Sequence, residues 1–392
     1  MAEPLSLDDL MGIQGLLSEE ERMVQSTVRR FVRERYLPRA AELFAKEEFP
    51  KDLIPVLAEM GLLGASLTGY GCAGMNSVMY GLALQELEYG DSGLRSFVSV
   101  QGSLSMYPIW KYGSDEQKDR WLPKMAAGQL IGCFGLTEPD SGSDPGSMKT
   151  MARSDGDSYV VSGTKMWITS SPVADLAVVW AKVDGGDSKS IRGFVVERGM
   201  KGFETPTVHG KMSLRASPTG EIVLNEVRVP KANMLPGVQG LKGPLSCLTQ
   251  ARFGIAWGAL GAARCCFETA VSYARERVQF GKPIATKQLI QDQLAKMALE
   301  ITKGQLMALH YARIKDERGI TPVQVSICKK NNVGWALEIA RMSRAILGGN
   351  GILLEYPVIR HMLNLESVYT YEGTNEVHSL ILGGALTGFD AF

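Results

Sequence analysis

A change of hydrophobic period along the chain constrains the fold more than any other feature. Up to about Gly128 apolar residues recur at helical spacing, as in Val24, Val28, Phe31 and Tyr36, and Ser18 with Glu21 makes a capping box ahead of that run. Further helices are expected over DLIPVLAEMG and after GCAGM. The next hundred or so residues read differently. SYVVSG, DLAVVWAKV, IRGFVVERG and EIVLNEVRVP are short β-rich runs separated by DGD, DGGD and SPTG turns. Beyond Gly240 helix returns, with Ile290, Leu294, Met297 and Ile301 on one face; a second long helix opens at Thr321-Pro322 and stops at Gly348-Gly349. The pattern predicts an α+β chain: an N-terminal helical bundle over 1–128, a small β domain over 129–239, and a C-terminal four-helix-type bundle over 240–392.

Composition excludes several function classes. Forty-two basic residues balance forty-two acidic ones across 392 residues, so there is no basic excess of the kind that binds nucleic acid or an anionic membrane. The six cysteines have no C-x-x-C spacing and the four histidines stand singly, which argues against a metal site and for a reducing compartment. The acidic N-terminus carries no targeting pattern and no run reaches the length of a membrane span. A cytoplasmic protein of bacterial type is expected.

Several segments carry candidate chemistry. GYGCAG, Gly69 to Gly74, matches G-x-G-x-x-G, but no repeating βαβ units surround it, so it reads as a turn between helices. CFGLTEPDSGSDPGS, Cys133 to Ser147, offers hydroxyls and exposed amides that can hold an anion, or form a plain polar turn. KMWITSS sets Trp167 two residues from Thr169, a flat ring beside a hydroxyl, or else an ordinary core tryptophan. Arg277 and Gln279 precede a Gly-Lys-Pro turn, and AILGGNG ends a helix with glycines. In YTYEGTNEVHSLIL a single carboxylate, Glu372, precedes an apolar helical run.

In this order, LTEPDSGSD, WIT, QFGKP, GGNG and YEGT resemble the acyl-CoA dehydrogenase family of flavoenzymes over nearly the whole chain. The resemblance implies an FAD-dependent homotetramer that passes electrons to an electron-transferring flavoprotein. It implies flavin contacts at Phe134, Leu136, Thr137, Gly142, Ser143, Trp167 and Thr169, and further ones, some reaching a neighbouring subunit, at Arg277, Gln279, Phe280, Gln288, Gly348, Gly349, Thr374 and Phe392. Glu372 matches the family's catalytic base, which takes the proton α to the thioester while the β-hydrogen leaves as hydride. Its backbone N–H and a flavin ribityl hydroxyl would hold the enolate oxygen. Arg252 resembles an arginine that helps bind coenzyme A; Ser143 and Gly373 would touch substrate.

Within the family, LQELEYGDSGLRSFVSVQGSL resembles glutaryl-CoA dehydrogenases, with Glu88, Arg95, Ser96, Ser99 and Tyr371 at positions that would hold a distal carboxylate. Read without the resemblance, Arg95 would simply pair with Asp91 on a helix surface. With it, the expected reaction converts glutaryl-CoA to crotonyl-CoA and CO2. The alternatives are a short-chain or branched-chain acyl-CoA dehydrogenase, or a glutaryl-CoA dehydrogenase that does not decarboxylate. Two residues depart from the pattern: Leu94 stands where related proteins have tyrosine, and Ala345 where many have glutamine.

Overall fold

The computed structural model describes residues 5–391. Phe392, an expected flavin contact, lies outside them. The first part is helical: α1 (Leu7–Met11), α2 (Glu19–Phe31), α3 (Leu37–Lys46), α4 (Ile54–Glu59), α5 (Ser77–Gly90), α6 (Ser92–Ser99), α7 (Tyr107–Tyr112) and α8 (Asp115–Ala126). The expected capping box starts α2: Ser18 Oγ accepts from the Glu21 N–H at 3.2 Å, and the Glu21 carboxylate accepts from the Ser18 N–H at 2.9 Å. Asp91 breaks the chain between α5 and α6 and caps the latter, accepting from the Gly93 N–H at 2.7 Å. GYGCAG lies between α4 and α5 as a run of turns with no strand before it.

The β domain follows: β1 (Gly132–Gly135), β2 (Met151–Asp155), β3 (Ser158–Thr169), β4 (Leu176–Val183), β5 (Ile191–Glu197), β6 (Phe203–Glu204) and β7 (Thr219–Pro230). Among the described residues they form one sheet in the order β1, β4, β2, β3, β7, β6, with β5 along the other side of β4. β4 is parallel to β1 and β2 and antiparallel to β5; its residues up to Ala181 are buried, as expected of a strand covered on both faces.

The last part comprises α9 (Lys242–Glu276), a short hairpin of β8 (Val278–Gln279) and β9 (Lys282–Pro283), then α10 (Gln288–Arg318), α11 (Pro322–Ile346), α12 (Pro357–Thr370) and α13 (Asn375–Thr387). Thr321 caps α11 as expected, with Pro322 in its first turn. The two helical parts share one apolar core, running from Leu7 through Leu87 and Trp257 to Val368. The β domain has its own core around Val161, Phe194 and Val227, and a third cluster joins α8 to the sheet through Trp121 and Trp180. Among the described residues no helix is long and apolar enough to cross a membrane.

Candidate active site

The break at Asp91 turns α6 back so that Arg95 meets Glu88 of α5. Arg95 is 1% exposed and Glu88 fully buried; Arg95 Nε donates to Glu88 Oε2 at 2.6 Å, and Ser92 Oγ donates to Glu88 Oε1 at 2.7 Å. Arg95 Nη2 also donates to the Tyr371 hydroxyl. Burial works against the charge of Arg95, and Glu88 and Tyr371 together outweigh it, so the guanidinium stays protonated. The surface pair between Asp91 and Arg95 is not formed: Asp91 is buried and accepts from Arg360 at 2.5 Å. One turn beyond Arg95, the Ser99 hydroxyl is buried beside Tyr80, whose hydroxyl lies 2.9 Å from Ser103 Oγ. Ser96 is buried on the same helix.

Helices α5 and α9 approach closely enough to close this cluster because α9 presents glycine there. A Cβ on Gly258 would stand 2.1 Å from Glu88 Oε2 and 3.1 Å from Arg95 Nε. Sequence reading missed Gly258, whose neighbours AWGAL suggest only a buried helix.

Glu372 sits in the turn between α12 and α13 with a left-handed φ of 53°, and Gly373 follows at 91°. Arg252 of α9 donates to the Glu372 carbonyl at 2.6 Å, and Lys329 of α11 donates to the carbonyls of Tyr371 and Gly373, each at 2.5 Å. The Glu372 N–H has no backbone acceptor among the described residues. Its carboxylate Oε2 is shielded from solvent and unpartnered. Burial raises the Glu372 pKa above the ordinary 4.5, while Lys329, Arg95 and Arg252 pull it back. His378 closes the turn from α13. Its Nδ1 lies 3.0 Å from Ser326 Oγ, and burial with nearby Lys329 and Arg252 pushes it down to about 3, so it is neutral. Thr374 caps α13, accepting from the Val377 N–H at 3.2 Å.

The loop after β1 is shaped by a buried ion pair. Lys165 Nζ meets Glu138 Oε1 at 2.8 Å, and the same oxygen accepts from Thr150 Oγ1 at 2.6 Å. Burial lowers Lys165 to about 8 even against Glu138. Phe134 and Leu136 point into the core, whereas Gly142 and Ser143 are exposed. The Thr137 carbonyl accepts from the Met166 N–H at 2.9 Å, which ties the loop to β3. There a bulge between Lys165 and Ile168 moves the buried side from Val161 and Lys165 to Ile168. Trp167, at φ 63°, is therefore turned outward at 60% exposure, beside half-buried Thr169. It is not a core tryptophan; Trp180 is.

A third group gathers elsewhere. Arg277, Gln279, Gly348 and Gly349 line a cavity of about 350 Å3 with Tyr273, Ile284 and Asn350. Phe280 is 93% exposed and Gln288 lies exposed at the start of α10. None of the cavity's lining residues belongs to the Glu372 cluster. Cβ atoms built on Gly142, Gly348 and Gly349 would meet nothing within 4 Å. An outward indole, a neighbouring hydroxyl, open glycine backbone and a cation at a cavity are what the ring and phosphates of a flavin dinucleotide require.

Comparison with known proteins identifies the family. Models of the N-terminal, middle and C-terminal domains of acyl-CoA dehydrogenases match residues 18–129, 133–227 and 238–387. The glutaryl-CoA dehydrogenase of Mycobacterium smegmatis superposes with a TM-score of 0.97 at 57% identity, covering 99% of this chain and 100% of that one. A glutaryl-CoA dehydrogenase from the same organism in complex with FADH2 gives 0.97 at 53%, with 99% and 100% covered. The mitochondrial short-chain specific acyl-CoA dehydrogenase of Bos taurus is 35% identical over 377 residues, 94% of this chain and 90% of that protein. The expected family and its likeness to glutaryl-CoA dehydrogenases are both found, and the chain belongs to the acyl-CoA dehydrogenase family, whose cofactor is FAD.

Proposed function

We propose that this enzyme oxidises glutaryl-CoA and releases CO2, giving crotonyl-CoA. The observation that carries the substrate assignment is the hydrogen-bonded chain from buried Glu88 and Arg95 to half-buried Tyr371, which ends beside Glu372. A buried guanidinium and a buried serine hydroxyl, Ser99, suit the far carboxylate of a dicarboxylic acyl group. A plain acyl chain would offer this buried guanidinium nothing beyond the Glu88 and Tyr371 bonds that it already makes.

Glu372 takes the α-proton, and the turn that holds it leaves its N–H available to the thioester oxygen as the enolate forms. Bound FAD supplies the acceptor for the β-hydride. Phe134 to Ser143, Trp167 and Thr169 would hold its ring end, and Arg277, Gln279, Gly348 and Gly349 would hold the far end of a flavin, some of them that of a neighbouring subunit. Glu88 sets a second negative charge close to the substrate carboxylate, and breaking the carbon–carbon bond to release neutral CO2 removes that repulsion. The electron pair left behind becomes a dienolate, and protonated Glu372 returns its proton to give crotonyl-CoA. The two electrons then leave to an electron-transferring flavoprotein. Exposed Phe280 and Leu289, next to Gln279 and Gln288, support a homotetramer in which a second copy covers this face.

Arg95→Met tests the assignment. It should cost about 100-fold or more in kcat/KM on glutaryl-CoA, about 2.7 kcal/mol, while butyryl-CoA changes by about threefold or less. Equal loss on both substrates would overturn the carboxylate role. The second reading, a short-chain acyl-CoA dehydrogenase, is favoured by the identity to the Bos taurus enzyme and expects the wild type to prefer butyryl-CoA.

A further inference from the structure

A glutamate in the left-handed region is held against its own preference, so something in the fold must hold it. Two buried cations do. Lys329 spans the Tyr371 and Gly373 carbonyls, and Arg252 takes the Glu372 carbonyl between them, so three successive carbonyls are fixed from two helices. Lys329 is 1% exposed and, among the described residues, has no carboxylate bonded to it; the dehydrogenation and decarboxylation steps leave it without a part. A methionine would fill such a place without the cost of burying an ammonium group.

We propose that Lys329 is the positioning residue of the catalytic base, clamping the turn from beneath so that the Glu372 carboxylate faces the substrate. This rests on Glu372 being the α-proton base. The charge of Lys329 adds a second effect. Burial pushes Glu372 toward its protonated form, and Lys329 heads the cations that oppose it. Lys329 in turn is lowered to about 7 by burial, against the pull of Glu372. The other groups facing this pair are Tyr80 of α5, Arg95 of α6, Arg252 of α9, Tyr371, and neutral His378 of α13.

The test compares Lys329→Met, Lys329→Gln and Lys329→Arg in the FAD-loaded enzyme. In the neutral variants anaerobic flavin reduction by glutaryl-CoA should slow about 100-fold with KM within about threefold, and the acid limb of its pH profile should move to higher pH. Arginine, which keeps charge and donors, should recover at least about tenfold of the loss. If methionine prevents folding, glutamine carries the same expectation. A neutral variant with wild-type rate and an unmoved acid limb would overturn the proposal, as would a loss that arginine does not relieve. Wild-type flavin that no acyl-CoA reduces would instead overturn the base assignment. Lys329 is then judged from a crystal structure of the glutamine variant: Glu372 leaves the left-handed region if the clamp is real, and keeps φ near 53° if the lysine only fills space.

Discussion

As the proposed base, Glu372 must be ionised to take a proton, yet its burial favours the neutral form. A base whose pKa is raised works only above that raised value. The rate of flavin reduction should therefore climb with pH through an acid limb lying above the ordinary glutamate value of 4.5, and Glu372→Gln should bind substrate without reducing flavin. A flat profile across the acid range, or normal reduction in the glutamine variant, would move the base elsewhere. Glu372 was legible in the sequence because the turn around it carries a recognisable string. Lys329 was not: it stands next to Lys330 in SICKKNN, a pair that reads as a solvated face. The fold sends Lys329 inward, and Lys330 to Asn375 Oδ1 at 2.6 Å. Nor does local spacing decide between Asp91 and Glu88 as the partner of Arg95. That choice depends on the break between α5 and α6, which swings Asp91 toward Arg360.

At the scale of elements, the α5 and α9 crossing separates two kinds of constraint. A Cβ on Gly261 would meet the Gln85 carbonyl oxygen at 1.9 Å, and backbone cannot move aside cheaply. Gly261→Ala should lower stability by about 1–3 kcal/mol in chemical denaturation, with the preference for glutaryl-CoA kept in whatever folds. At Gly258 the obstructing atom is the end of the Glu88 side chain, which can swing away but only by leaving Arg95. Gly258→Ala should thus cost selectivity: the ratio of glutaryl-CoA to butyryl-CoA turnover should fall about tenfold or more. An unchanged ratio would detach the Glu88–Arg95 pair from substrate choice. Periodicity reveals that these helices exist, since their apolar spacing is local. Which face of α9 meets α5 is a tertiary fact. The bulge that turns Trp167 outward is equally invisible to strict strand alternation, which leaves a core position equally open.

For the whole molecule, the change of period located a β domain between two helical parts, and the structure has that order. What the sequence does not disclose is that the helical ends share one core. That sharing has a chemical consequence. Glu88 and Arg95 come from the first part, Arg252, Lys329 and Glu372 from the last, so the proposed base and the proposed carboxylate clamp meet only when both have packed together. The central claim is that this assembled site dehydrogenates and decarboxylates one dicarboxylic thioester. Mixing the FAD-loaded enzyme with glutaryl-CoA without oxygen, while following flavin absorbance and released CO2 together, tests it most directly. CO2 should appear in step with reduced flavin, with crotonyl-CoA as the product; bleaching with glutaconyl-CoA and no CO2, or no bleaching at all, would rule this reaction out.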